Sequence, residues 1–113
     1  MRIVLVDQDS LSLMQLEAIM KKSNPKDETL IFNDVYMTLE YIKRNMVNEI
    51  FIEISMKGKT GLTLAKEIKK INRQVKVILI ADSEEYAIEA WKVHADYFLV
   101  KPITLETIHK MRE

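Results

Sequence analysis

Glu49-Ile50-Phe51-Ile52-Glu53 places an unbroken apolar run between two acids. A strand with one wet face alternates apolar and polar residues. A strand that is apolar on both parities is covered on both faces, as parallel strands between helices are. Runs of the same kind flank it: Arg2–Val6 and residues 29–32 before it, Lys76–Ala81 and Tyr97–Val100 after it. Each is four to six residues long and β-branched-rich, which suits a strand.

The intervening segments repeat with helical period. Leu13, Leu16 and Met20 share one face of residues 10–22. Val35, Leu39 and Ile42 do so over 34–44, with Asn33 as the expected N-cap. Leu64, Ile68 and Ile71 line 60–71. Tyr86, Ala90 and Val93 line 84–93, with Asp82 or Ser83 as its cap. A last helix starts at Thr104, carries Leu105, Ile108 and Met111, and stops after about two and a half turns. Five β-α repeats predict an α/β fold, a doubly wound parallel sheet with right-handed crossovers. Residues 1–113 then form one domain, whose short last helix reads as truncated.

Composition narrows the function. Seventeen basic residues balance seventeen acidic ones, so the formal net charge is zero. That argues against direct nucleic-acid or anionic-membrane binding by this domain. Without cysteine, disulfides and thiolate metal sites are excluded. The apolar run after Met1 is too short for a signal peptide and ends at Asp7. No stretch approaches the roughly 18 apolar residues of a membrane span, and a cytoplasmic protein is the simplest reading.

Open α/β sheets bind ligands outside the carboxyl ends of their strands. The residues there are Asp7-Gln8-Asp9, then Glu53-Ile54-Ser55-Met56, Ala81-Asp82-Ser83 and Lys101-Pro102. Val6-Asp7-Gln8-Asp9, Glu53-Ile54-Ser55-Met56 with Gly61 eight residues after Glu53, the stretch from Tyr86 to Ala95, and Phe98-Leu99-Val100-Lys101-Pro102 together resemble response-regulator receiver domains. The late stretch is most similar to receivers that precede LytTR-type or activator-type DNA-binding domains. The resemblance covers essentially the whole chain. It implies a flavodoxin-like (βα)5 fold of strand order 2-1-3-4-5 and a signalling function, not an enzyme.

In that family a kinase phosphorylates the aspartate ending the third strand. Mg²⁺ is held by that aspartate and an acidic pair, a hydroxyl ending the fourth strand bonds the phosphate, and a lysine pairs with it. Here Glu53 takes the phosphoacceptor position, its carboxylate about 1.5 Å further out. Asp7 matches the acidic pair, but Gln8 replaces its second acid and weakens any Mg²⁺ site formed with Asp7 and Glu53. Ala81 replaces the hydroxyl, Lys57 stands for a proline, and Phe98 is the switch aromatic without a hydroxyl. Lys101 matches the phosphate-pairing lysine. The resemblance therefore implies a pseudo-receiver that works without phosphorylation or a resident cofactor. The competing reading is a Mg²⁺-dependent phosphoacceptor using Glu53 or a neighbouring acid such as Asp82.

Two readings stand for Glu53. It mimics a phosphorylated aspartate, or it is a fixed partner of Lys101; the second is favoured, because Ala81 has removed the hydroxyl that would sense a mimic. Asp7 and Asp9 read as solvated acids, Asp9 also capping the first helix. Ser55 and Ser83 read as turn or cap residues with no general base beside them. His94 and His109 lack metal-ligand spacing. The lysines at 66, 69 and 70, with Lys57 and Lys59, read as a solvated face. Trp91 is either a hot spot of a homodimer face built from helix 4, strand 5 and helix 5, as the resemblance implies, or a packed helix-edge residue. The implied partners are an attached DNA-binding output domain and a sensor kinase.

Overall fold

The structure, a computed structural model, describes residues 1–54, 56 and 61–113. The elements alternate as β1 (Arg2–Val6), α1 (Ser10–Ser23), β2 (Glu28–Phe32), α2 (Val35–Arg44), β3 (Glu49–Glu53), α3 (Gly61–Ile71), β4 (Lys76–Ala81), a 3₁₀ turn (Glu84–Tyr86) running into α4 (Ala87–Lys92), β5 (Tyr97–Val100) and α5 (Leu105–Arg112). The strands form one parallel sheet in the order β2-β1-β3-β4-β5, as expected from the sequence. All five residues of β3 are buried, which is why its run is apolar on both parities.

The inner strands β1, β3 and β4 serve two cores. Ile3, Leu5, Phe51, Ile78 and Ile80 point to one side and meet Leu13, Leu16 and Met20 of α1 and Ile108 of α5. Val4, Val6, Ile50, Ile52, Val77, Leu79 and Ala81 point to the other and meet apolar residues of α2, α3 and α4.

The caps refine the expected boundaries. Asp34, not Asn33, caps α2, its Oδ1 accepting from Met37 N at 2.9 Å. Aspartate wins because its own backbone is extended and its carboxylate reaches the third amide of the helix. Between Asp82 and Ser83, Ser83 is the cap, accepting from Glu85 N at 3.1 Å. Thr104 and Thr107 cap each other's backbone at the start of α5. The helix expected over 84–93 opens as a 3₁₀ turn and becomes α-helical only at Ala87. At its end His94 takes a left-handed backbone, φ 63°.

A polar link joins α5 to the sheet where β3 begins. Arg112 donates from both terminal nitrogens to the Glu49 carboxylate at 2.7 Å each. The hydrogen bond with Glu49 raises the Arg112 pKa. A buried carboxylate requires such a partner. Glu49 and Arg112 are distant in sequence, and neither carries a local signal for the other.

Candidate functional site

The site lies where β1, β3 and β5 end. The two-residue period of a strand decides which side chains gather there. Asp7 follows Leu5, Glu53 follows Phe51, and Lys101 follows Leu99, each at a spacing of two from a residue of the α1–α5 core. All three therefore come up on that side of the sheet. Ala81 follows Leu79 on the opposite side, and Phe98, in register with Leu79, packs there too. The alternation was legible in the sequence and would have separated the charged group from Ala81 and Phe98.

Glu53 is 6% exposed, and its Oε2 is 2.9 Å from the Lys101 ammonium. Asp82, well exposed, approaches the same ammonium at 3.6 Å. Burial is the largest single influence on Lys101 and pulls its pKa down. The hydrogen bond with Glu53, and the charges of Glu53, Asp82 and Asp7, together outweigh it, so the net shift is upward. Lys101 precedes a cis peptide bond to Pro102, and its own N–H donates to Ala81 O at 2.9 Å, fixing the loop against β4.

Asp7 is only 9% exposed, so it is not the solvated acid expected: it follows the buried run Ile3–Val6 of β1, and its Oδ1 accepts from Asp9 N at 2.9 Å. Asp9 is the N-cap of α1, as expected: Leu11 N donates to Oδ1 and Ser12 Oγ to Oδ2. The Ser12 hydroxyl, then the Leu11 amide, lower the Asp9 pKa. Gln8, between them, is exposed. Asp7 and Lys101 line one wall of a cleft of about 410 Å³ against Leu16, Ile19 and Ile80.

Ala81 is fully buried and Phe98 half-buried. Ala81 is the last residue of β4, with Asp82 the first beyond it. The expectations for Ser55, Lys57 and Lys59 lie outside the described residues. Sequence reasoning missed one structural support of the site. The backbone N–H of Gly61, the first residue of α3, donates to Ile54 O at 2.9 Å, and a Cβ on Gly61 would lie 2.2 Å from Glu53 O. The glycine was visible eight residues after Glu53, but not the contact that requires it.

The geometry brings Asp7, Glu53, Asp82 and Lys101 together, keeps Ala81 and Phe98 in the other core, and leaves Gln8 at the rim. Comparison with known proteins agrees with this arrangement of the sheet. The chain is 26% identical over 110 residues to the sensory transduction protein LytR of Staphylococcus epidermidis, covering 97% of this chain and 44% of that protein. It is 24% identical over 102 residues to the transcriptional regulatory protein YpdB of Escherichia coli, covering 90% and 42%. It thus spans less than half the length of these relatives. The response regulatory domain of protein mrkE from Klebsiella pneumoniae superposes with a TM-score of 0.87 at 24% identity, over 98% of this chain and 91% of that one, a likeness of fold. Residues 3–113 match the model of the response regulator receiver domain, and the chain belongs to that family.

Proposed function

We propose that this receiver is phosphorylation-independent and acts as a regulatory module for an attached DNA-binding output domain. The observation that carries the reading is the buried Glu53–Lys101 ion pair at 2.9 Å. An ammonium that would pair with an incoming phosphoryl group is already held by Glu53 and flanked by Asp82. At the end of β4, the fully buried Ala81 offers no hydroxyl. Phosphoryl transfer depends on charge neutralisation and an aligned nucleophile, and both are compromised together. The output domain rests on the relatives, one of which is a transcriptional regulatory protein more than twice the length matched here.

The donor set fits Mg²⁺ poorly. Of Asp7, Gln8 and Glu53, one is a neutral amide and one is engaged by an ammonium, whereas Mg²⁺ favours carboxylate in strict octahedral geometry. One observation favours the alternative, a Mg²⁺-dependent phosphoacceptor: Asp82 presents a carboxylate whose side chain is 74% exposed beside Lys101. Acetyl phosphate with Mg²⁺ separates the two. The wild-type chain is expected to take up no stoichiometric phosphoryl label, and Glu53→Asp alone is expected not to restore labelling. Combining Glu53→Asp with Gln8→Asp and Ala81→Ser is expected to restore it. Label on wild-type Glu53 or Asp82 would overturn the proposal.

We further propose that the face formed by α4, β5 and α5 joins two copies of the chain. Trp91 is 77% and Ile88 66% exposed on α4, a rigid apolar pair at helical spacing. Trp91→Ala is expected to weaken self-association at least about tenfold in sedimentation equilibrium, since an interfacial tryptophan is worth about 2 kcal/mol or more. An unchanged association constant would remove this face from consideration.

A further inference from the structure

The chain is neutral as a whole, but its charge is not evenly spread. Lys66, Lys69, Lys70 and Arg73, from α3 and the turn after it, line a groove of about 750 Å³ together with Lys92 and His94 at the end of α4. Sequence reading grouped the lysines of α3 with Lys57 and Lys59 and took them for a solvated face. The fold brings cations from a second helix against them.

The ordinary reason for such residues is the helix dipole, because Lys69, Lys70 and Lys92 occupy last turns. The magnitudes do not match. Each helix end supplies roughly half a negative charge. The acid lining the groove, Asp96, is engaged by Lys69 at 2.7 Å and by Val77 N at 2.8 Å. Five permanent cations against these leave an excess of about three positive charges. Lys66, Lys70, Arg73 and Lys92 are exposed and have no ion pair among the described residues.

A second observation falls in the same groove. His94 has a left-handed backbone at φ 63°, the position after a helix where glycine is preferred. A side chain there costs roughly 1 kcal/mol. That side chain lines the groove. Strain of this kind is retained where a side chain is useful.

We propose that this α3–α4 groove binds the phosphate backbone of duplex DNA. The lining is cationic and polar, with Val93 as its apolar member. Among the described residues it has no buried aromatic or aliphatic anchor of the kind a protein–protein interface uses. The exposed apolar residues of α4, Ile88 and Trp91, lie outside it. A phosphate backbone needs positive charge alone, without base-reading groups. The relatives include a transcriptional regulatory protein, so DNA is a polyanion such a receiver would be held close to. The groove is separate from the Glu53–Lys101 site, and this inference does not depend on how that site works.

The test is fluorescence anisotropy of a labelled duplex of arbitrary sequence with the 113-residue chain. Four released counterions predict a log–log salt slope between about −3 and −4, a loss of roughly a hundredfold from about 50 to about 200 mM salt. The double variant Lys70→Glu, Arg73→Glu is expected to weaken binding more than tenfold and to flatten the slope by about two. Lys21→Glu, Lys22→Glu changes net charge equally on α1 and is expected to leave binding within about twofold. Circular dichroism checks that each variant is folded. Absence of binding at about 50 mM salt, or equal loss in both double variants, would overturn the proposal. So would groove-dependent binding of polyglutamate in place of DNA, which would assign the groove to an acidic protein.

Discussion

Gly61→Ala is expected to lower the stability of the domain by about 3 kcal/mol or more, at or beyond the upper end of ordinary overpacking. The reason is close approach, not backbone freedom. The added Cβ would stand 2.2 Å from Glu53 O, 2.8 Å from Ile54 Cα and 2.9 Å from Glu53 C. These are backbone atoms at the end of the central strand and of the residue just after it, which cannot turn aside as a flexible side chain would. β3 is hydrogen-bonded to β1 and β4, and Ile54 N donates to Ile80 O at 2.9 Å just beyond its end. The strand is therefore the fixed partner and α3 must move. Leu64, Ala65 and Ile68 of that helix are all fully buried, so its displacement opens the core. Urea denaturation should show the midpoint falling with the m-value unchanged. Thermal unfolding should shift by on the order of 10 °C. A loss below about 1 kcal/mol would mean that α3 slides freely over the end of β3.

Lys101→Met should cost about 2 kcal/mol at neutral pH. Removing one partner of a buried ion pair costs about 3–5 kcal/mol. That range is reduced here because the Lys101 side chain is one-third exposed and water screens it. Methionine keeps the apolar stem, so the loss reports on the ammonium and the stranded Glu53 carboxylate. In the double variant Glu53→Leu, Lys101→Met, most of the loss should return, because an apolar pair replaces a buried ionic one at little net cost. A double-mutant cycle measures the coupling. Additive single losses with no recovery would show that the pair is not an energetic unit.

The pH dependence has a definite sign. The Lys101 pKa is raised in the folded protein by Glu53, Asp82 and Asp7 against the opposing effect of burial. Its contribution to stability is complete below the unfolded lysine pKa of about 10.4 and is lost as pH rises through the higher folded value. The wild type should weaken in that alkaline window, and Lys101→Met should lack that part of the decline.

Much of the fold was legible because local rules agree with one another. The strand runs, the helical periods and the Thr104 start of α5 are short-range patterns, and each matches the element found. Boundaries moved where two polar residues competed for one cap, as Asn33 and Asp34 did; the geometry of the turn chose between them. The helix expected over 84–93 begins as a tighter turn because Ser83 caps a short 3₁₀ segment first. At the site, the two-residue period of the strands places Asp7, Glu53 and Lys101 on one side, and the expected Glu53–Lys101 partnership is present at 2.9 Å. Asp82 as a second partner of Lys101 was not legible, since it depends on how the ends of β4 and β5 lie beside each other.

The sequence by itself determined the alternation of elements, the both-sided burial of β3 and the chemical identity of the sheet edge. These follow from periodicity and residue type, which act over a few residues. Only the tertiary structure decided the rest. It pressed Gly61 against Glu53 O, joined Arg112 to Glu49, and set Lys92 and His94 across from the lysines of α3. Such contacts join residues far apart in the chain. Charge and volume are summed in space rather than along the sequence, so a chain with no net charge folds into a molecule with a strongly basic groove.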